Sequence, residues 1–191
     1  MKYSDDQLIA RVEAVASGFT YWQLGFYLIA VRSAADLPDA FDDKAYLFEV
    51  RHDGMPRFIV KTSCTTHPGV DVLKNYAAKY NPAGAAVLKS NQIVYESHAF
   101  GLHHGKYNAY RQVKPMAFFR DRDRDVKAEE SGPQLTDIIM ANVHRAHPDQ
   151  TSEINHNWSA GCIVMNSPKA FNSFMNTMQA RPLTVCILKE F

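Results

Sequence analysis

Short runs of β-branched, aromatic and other apolar residues, separated by turn residues, constrain the fold of this chain more than any other feature. They cover residues 21–31, 45–50, 57–62, 85–88, 93–98, 107–113, 116–120, 163–165 and 183–188. Runs of this length and composition at such spacing are typical of β-strands. We therefore predict a mainly β (α+β) fold, with helices only at the two ends of the chain.

Two of these runs flank a turn signal and predict a β-hairpin. Asp53-Gly54 separates the run 45–50 from the run 57–62, and this dipeptide favours tight hairpin turns. The run 21–31 contains Gly25, which weakens a strand interior. We expect either a pair of strands there or one bent strand broken at Gly25.

The two ends of the chain carry helical patterns. Ser4 is followed three residues later by Gln7, which matches a capping box, and Gly18 marks the end of a helix within residues 1–18. Near the other end, Pro168 follows Ser167, and Pro182 stops the pattern. The second helix should bury a stripe made of Phe171, Phe174, Met175 and Met178.

Length and charge favour one ordinary globular domain spanning residues 1–191. The chain has 21 Lys and Arg residues against 20 Asp and Glu residues, so its charge balance does not favour nucleic acid as a partner. It has no apolar run near 18 residues, so we expect no membrane anchor. We also expect a monomer that carries no cofactor.

Cysteine usage and the N-terminus predict synthesis in a reducing cytoplasm. Cys64, Cys162 and Cys186 are widely separated and lack the spacing of metal ligands, which favours free thiols. Residues 1–6 lack the basic segment and apolar core of a secretory signal.

The segment from His144 to Cys162 concentrates the residues suited to covalent catalysis. A thiol attacks carbonyl carbon as thiolate, and an imidazole is the usual group that removes its proton. Gly161 directly precedes Cys162 and leaves room for a carbonyl to approach, so the main-chain N–H groups of both residues can face a developing oxyanion. Cys162 would then be the nucleophile and His144 its base.

A structural explanation for the same residues stays open. Cysteine is among the most buried residue types, and Ser159-Ala160-Gly161-Cys162 could mark a place where two backbones pack closely.

The spacing of this segment resembles a known active-site motif. Histidine, fourteen residues, serine, one residue, glycine, cysteine and an apolar residue is similar to the motif of the L,D-transpeptidase catalytic domain (the YkuD family). Weaker similarities to a bacteriophage-associated, endolysin-like branch of that family extend the resemblance over about residues 25–178. They lie at residues 41–43, 65–69, 102–107 and 119–121. The resemblance implies a β-sandwich or barrel with a few peripheral helices.

The resemblance also implies a role for each motif residue. Cys162 corresponds to the nucleophile and His144 to the base, while Ser159 and Gly161 shape the pocket. Ala160 stands where many members have a second histidine, and Val164 stands where many have arginine or asparagine.

Four further residues are predicted to bind substrate. His103 and His104 are expected to line the cleft and bind a carboxylate or diaminopimelate group, although either could be a hydrogen-bonded structural residue. Trp158, beside Ser159, is a candidate platform for a sugar or peptide, or part of the wall packing. We also expect substrate contact from Arg145, the neighbour of His144.

The function implied is that of a peptidoglycan hydrolase. Such an enzyme would cleave the cross-links between stem peptides, near D-Ala–diaminopimelate bonds, through a thioester on Cys162. A chain without an export signal suits a phage lysis enzyme, made in the host cytoplasm and acting on the cell wall in the periplasm after release. Two alternatives stay open: an L,D-transpeptidase that forms or exchanges peptide bonds, and a non-catalytic structural module of a virion.

The eight histidines of this chain leave a zinc peptidase open as a further alternative. His144 and His147 lie three residues apart, and His98, His103 and His104 cluster. The chain contains no HExxH motif and no cysteine pair at zinc-finger spacing, so we predict no metal site.

Overall fold

A computed structural model of the chain describes residues 2–191. Within them lie three helices: α1 (Asp5–Val15), α2 (Val70–Lys79) and α3 (Pro168–Met178). The strands in chain order are β1 (Gly25–Arg32), β2 (Asp43–Val50), β3 (Pro56–Thr65), β4 (Ala85–Leu88), β5 (Gln92–His103), β6 (Tyr107–Gln112), β7 (Met116–Asp121), β8 (Leu135–Asp137), β9 (Val143–Arg145), β10 (Ile163–Met165) and β11 (Leu183–Lys189). The prediction of a mainly β fold with few helices is confirmed.

Eight of the strands close into a barrel. Their order around it is β1-β11-β5-β6-β9-β10-β3-β2, while β4, β7 and β8 form a separate three-stranded sheet. Most neighbours in the barrel are antiparallel, but β1 runs parallel to β11 and β9 runs parallel to β10. In the short parallel pair β9–β10, strand β9 contains His144 of the predicted motif. Strand β10 begins directly after Cys162.

Strand β1 shows why this sequence forms a buried barrel strand. Its residues Phe26 to Val31 are all buried, because alternate side chains enter two different apolar clusters. Leu28 packs in the cluster that contains Phe174 of α3, whereas Ile29 packs in the cluster under Leu8 and Val12 of α1. A strand covered on both faces has a continuous apolar run rather than an alternating one.

Several boundaries differ from the sequence predictions. Gly25, with φ of 136°, begins β1, so the run 21–31 contains a single strand and no broken pair. The hairpin around Asp53-Gly54 is confirmed, and Gly54 has φ of 71°. Strand β5 continues five residues beyond its predicted end at His98.

The prediction that helices occur only at the ends of the chain is wrong. Helix α2 lies in the middle of the chain and buries Val72, Leu73 and Tyr76. The N-cap residue Gly69 has no side chain to cap the helix, and the Val70 N–H donates to Oδ1 of Asp39 instead, at 2.9 Å. A cap supplied from 31 residues away leaves no local capping signal in the sequence.

None of the helices described between residues 2 and 191 has the length and apolar character needed to span a membrane.

A buried carboxylate connects the start of β2 to the segment that precedes α2. Asp43 is 1% exposed and accepts hydrogen bonds from the Ser33 N–H at 2.8 Å and from the N–H and hydroxyl of Thr66, both at 2.7 Å. Three donors around one carboxylate satisfy groups that would be costly to bury unpaired.

Replacing this carboxylate tests its contribution to the fold. Asp43→Asn puts an amide N–H against one of these buried donors, so we expect the free energy of unfolding to fall by about 2–3 kcal/mol. Urea denaturation measures the change. The control is Asp71→Asn, at a partly exposed carboxylate on α2 that pairs with Lys79, where the midpoint should move little. Equal shifts in the two variants would contradict a special role for Asp43.

Candidate active site

The pairing of β9 with β10 brings the predicted nucleophile and base to one face of the barrel wall. His144 is the register partner of Val164, and the Ile163 N–H donates to the Asn142 carbonyl at 2.9 Å, which places Asn142 opposite Cys162. Register partners point to the same face and faces alternate along a strand, so Cys162 and His144 share a face with Cα atoms roughly 8 Å apart.

Cys162 is a buried, un-ionised thiol in this structure. Its residue surface is 8% exposed, and Sγ donates to the Met140 carbonyl at 3.5 Å. Burial raises the pKa of Cys162 to about 11, although the main-chain N–H of Asn142 opposes that shift. At neutral pH the group is therefore a thiol, and a proton must be removed before sulfur can attack.

His144 has its proton on a defined nitrogen. Its Nδ1 lies 2.8 Å from the Arg145 carbonyl oxygen and 3.1 Å from the Tyr107 hydroxyl. A carbonyl oxygen can only accept, so Nδ1 carries the hydrogen and Nε2 of the neutral ring has a free lone pair. Within residues 2–191 this buried Nε2 has no hydrogen-bond partner, so the imidazole and the Cys162 thiol are not hydrogen-bonded to each other.

Burial also keeps His144 neutral. The residue is 1% exposed, and its pKa falls to about 3, first because the ring is desolvated and second because His103 is close. The rings of His103 and His144 stack with centroids 3.9 Å apart and planes 23° apart. A neutral ring with a free Nε2 has the protonation state that a general base requires.

A cavity of about 600 Å³ opens beside the thiol. Its wall includes Cys162 and Gly161, together with Asn142, His103 and His104. The structure thus brings two of the predicted substrate-binding residues, both from the β5–β6 hairpin, to the same cavity as the predicted nucleophile.

The rim of this cavity is apolar and exposed. Leu102 is 49% exposed, Ile138 45% and Met140 68%, and all three contribute to the cavity wall. Met140 also has φ of 59°, an uncommon conformation for a residue with a side chain. The Met140 carbonyl accepts hydrogen bonds from both the Cys162 thiol and the Asn142 N–H.

Hydrogen bonds from Ser159 hold the loop that precedes Cys162. Ser159 is completely buried, its hydroxyl donates to the Cys162 carbonyl at 2.9 Å, and it accepts the Gly161 N–H at 3.2 Å. Its carbonyl accepts the Gly69 N–H at 2.9 Å. The Gly161 amide is thus engaged inside the loop, which leaves the Cys162 amide as the donor of the pair predicted to face an oxyanion.

Trp158 and Arg145 lie apart from the cavity at Cys162. Trp158 is 37% exposed, and its main-chain N–H donates to the Asn155 carbonyl. Arg145 lines a different cavity, of about 700 Å³, where its guanidinium lies 4.4 Å from the centre of the Tyr107 ring. The structure therefore places neither side chain in the cavity that contains the thiol.

Sequence reasoning missed the residues that hold the cavity wall in place. The Gln112 side chain accepts the N–H groups of Ile139 and Ala141, each at 3.0 Å, and donates to the Asp137 carbonyl at 3.1 Å. Asn142 also bonds to both Gln112 and His103. A single glutamine or asparagine carries no local signal for such contacts, because its partners are distant in the sequence.

The remaining histidines of the metal alternative are engaged elsewhere. In residues 2–191, no group of three or more His, Cys, Asp or Glu residues is arranged to hold a metal ion. His98 lies between the Ser97 hydroxyl at 2.8 Å and the Ala141 carbonyl at 2.7 Å. His147 accepts the main-chain N–H groups of Asp149 and Gln150.

Comparison of the chain with protein-family models, with curated proteins and with solved structures found no match.

Gly161 is required by the backbone next to the nucleophile. It has φ of 117°, and a Cβ atom there would lie 2.7 Å from the Ala86 carbonyl oxygen. We expect Gly161→Ala to destabilise the protein by about 2 kcal/mol, because both the left-handed backbone and the contact become strained. Urea unfolding measures this, with Gly132→Ala as control: Gly132 shares a positive φ (77°) but has open space around it. If the free energy of unfolding falls less in Gly161→Ala than in Gly132→Ala, the close contact with Ala86 is not destabilising.

The buried histidines make folding sensitive to acid. Burial lowers the pKa of His98 to about 4, as it does for His103, and that of His144 to about 3. In the unfolded chain these histidines bind protons near pH 6.5. The folded state is therefore not penalised by their burial above that pH, and the free energy of unfolding decreases as the pH falls towards 4 and then 3.

Replacing one of these histidines should therefore flatten the pH dependence. We expect His98→Gln to lose less stability than the wild type between pH 7 and pH 4.5, measured by urea denaturation at each pH. His52→Gln, at an exposed position, serves as control and should keep the wild-type slope. An unchanged slope in His98→Gln would show that protonation of this ring is not linked to unfolding.

Proposed function

We propose that this protein is a cysteine-dependent peptidoglycan hydrolase that cleaves the cross-links between stem peptides. One observation carries the proposal: the Nε2 of a buried, neutral His144 is free on the same strand face as the Cys162 thiol, which opens onto a cavity. Cys162 lines the cavity, and His144, which lies behind the wall and not in it, shares its strand face. A thiol at a cavity with an unprotonated imidazole on the same face suits acyl transfer through a thioester. The resemblance of the motif to L,D-transpeptidases supplies the substrate class.

The first step is general-base catalysis. Because the pKa of Cys162 is raised to about 11 and that of His144 is lowered to about 3, the two groups do not form an ion pair at rest. The thiol leaves the Met140 carbonyl, and His144 Nε2 takes its proton as sulfur bonds to the substrate carbonyl carbon. The Arg145 carbonyl, which accepts the Nδ1 hydrogen, stabilises the imidazolium that results.

The second step releases the amine. The carbonyl oxygen bears the negative charge of the tetrahedral intermediate, and its collapse breaks the C–N bond while the proton on His144 moves to the leaving nitrogen. A thioester on Cys162 remains. Water attacks this thioester with His144 again accepting the proton, and the carboxylic acid and the thiol are released.

The shape of the cavity supports a peptide substrate. Its exposed apolar rim, formed by Leu102, Ile138 and Met140, can contact the aliphatic part of a stem peptide, while His103 and His104 supply polar groups further along the wall. Most of the cavity surface is apolar, and the polar side chains in its wall are His103, His104, Arg111, Gln112 and Asn142. Such a combination is usual for small-molecule and peptide clefts.

Cleavage of purified sacculi tests this function. The wild-type protein should release soluble muropeptides with new free amines, and Cys162→Ala should reduce the rate by about 10³-fold or more, because no other group forms the thioester. The matched control is Cys64→Ala, which removes a buried thiol in β3 outside the cavity and should keep the activity. Circular dichroism checks that all three proteins are folded.

Mass spectrometry of the products separates this function from its alternatives. Exchange of a terminal D-amino acid without new free amines would identify a transpeptidase. Muropeptide release that persists in Cys162→Ala would show that Cys162 is not the nucleophile. No reaction by the wild type would favour a non-catalytic module.

A further inference from the structure

Asn142 links the main chain of β6 to an imidazole in the cavity. Its Oδ1 accepts the main-chain N–H of Gln112 at 3.1 Å, and its Nδ2 lies 3.1 Å from Nδ1 of His103. A main-chain N–H can only donate, so the Gln112 amide determines which end of the Asn142 side chain is oxygen. The other end, Nδ2, can only donate, and His103 Nδ1 must accept.

This contact defines the tautomer of His103. With Nδ1 as an acceptor, the hydrogen of the neutral ring is on Nε2. The stacked partner His144 has the opposite arrangement, with its hydrogen on Nδ1 and a free lone pair on Nε2. The two ring centroids are 3.9 Å apart. The Nε2 of His144 can therefore accept a proton, whereas the Nε2 of His103 carries a hydrogen that it can donate.

The donor ring lies in the wall of the cavity that contains the thiol. His103 lines the cavity together with Cys162 and Asn142, and Asn142 is the residue opposite Cys162 across the β9–β10 pair. The Gly161 N–H, a predicted oxyanion donor, is engaged with the Ser159 hydroxyl. Of the two predicted donors, the Cys162 amide is then left for the oxyanion on the attacked carbonyl, and a second donor would stabilise that charge further.

We propose that His103 is a catalytic residue whose Nε2–H stabilises the oxyanion formed on the attacked carbonyl, and that Asn142 is the positioning residue that keeps its hydrogen on Nε2. This inference rests on the proposed thiol attack by Cys162. It assigns different tasks to the two stacked histidines: His144 moves the proton, and His103 binds the negative charge.

The surroundings of His103 keep it neutral in this role. Burial, with help from His104 and Lys106, lowers the pKa of His103 to about 4. The other titratable side chains around the ring are Tyr107, Cys162 and His144, and the charged Arg111 lies in the same cavity wall. None of these neighbours is a carboxylate that would raise the pKa of His103. A neutral donor presents the same N–H throughout the pH range above 4.

The tautomer can be tested without any activity. In ¹⁵N NMR spectra of the labelled protein, His103 should show the Nε2–H form in the wild type. Asn142→Asp replaces the donor by a carboxylate of nearly the same shape, which can only accept, so His103 should change to the Nδ1–H form or become protonated. An Nδ1–H form in the wild type, or the same spectrum in both proteins, would overturn the assignment of Asn142.

Two substitutions of His103 test the oxyanion contact by kinetics. His103→Phe keeps a ring to stack on His144 but has no donor, and we expect kcat for cross-link cleavage to fall by about 10²–10³-fold with KM nearly unchanged. His103→Gln places an amide N–H near the position of Nε2 and should retain more activity than His103→Phe. A rise in KM with kcat unchanged would overturn the proposal and assign His103 to a substrate carboxylate instead.

The pH profile of Asn142→Asp supplies a readout that a structural role would not produce. Its kcat should be low at pH 8 and should rise as the pH falls through the raised pKa of His103, because protonation restores the Nε2–H. The wild type should show no such rise. A kcat reduced equally at every pH would indicate structural damage and overturn the positioning role.

Failure of this inference is distinguishable from failure of the proposed function. If Cys162→Ala abolishes cleavage while His103→Phe retains wild-type kcat, the thiol mechanism stands and the role of His103 is wrong. If Cys162→Ala remains active, the proposed function itself is wrong. Thermal unfolding of each variant identifies any loss of fold, and the NMR result for Asn142→Asp holds independently of both.

Discussion

The parallel pairing of β9 with β10 is the interaction on which the candidate site depends. Each strand has three residues, yet together they close the barrel between β6 and β3. Their register puts His144 and Cys162 on one face and surrounds both with protein. Burial then sets the chemistry, because it raises the pKa of the thiol and lowers that of the imidazole.

Such short strands need support from elsewhere in the chain. The Gln112 side chain and His98 hold the segment 137–141 through hydrogen bonds to its main chain, and Ser159 holds the loop on the other side of Cys162. Buried polar groups are stable only when they are paired. The same bonds that satisfy these groups also orient the cavity wall, so stability and site geometry have a common origin.

Sequence patterns predicted those parts of the structure that local contacts determine. The capping box at Ser4, the hairpin at Asp53-Gly54 and the strands β4 and β10 agree with the patterns. Helix α2 was missed because its cap comes from Asp39. Strands β8 and β9 were missed because each has three residues that mix polar with apolar side chains, whereas the three residues of β10 are all apolar. Among the site residues, His103 and His104 share the cavity with Cys162, whereas Arg145 lines another cavity.

The sequence by itself determined the mainly β class and the segment that contains the histidine, serine, glycine and cysteine, because strand propensity, turn residues and motif spacing are local properties. The tertiary structure alone decided which side chains meet. The free Nε2 of His144, the Gly161 amide engaged by Ser159 and the Asn142–His103 contact all join residues through packing and strand register. Such contacts depend on long-range pairing and on the exclusion of water, and neither leaves a pattern in the order of amino acids.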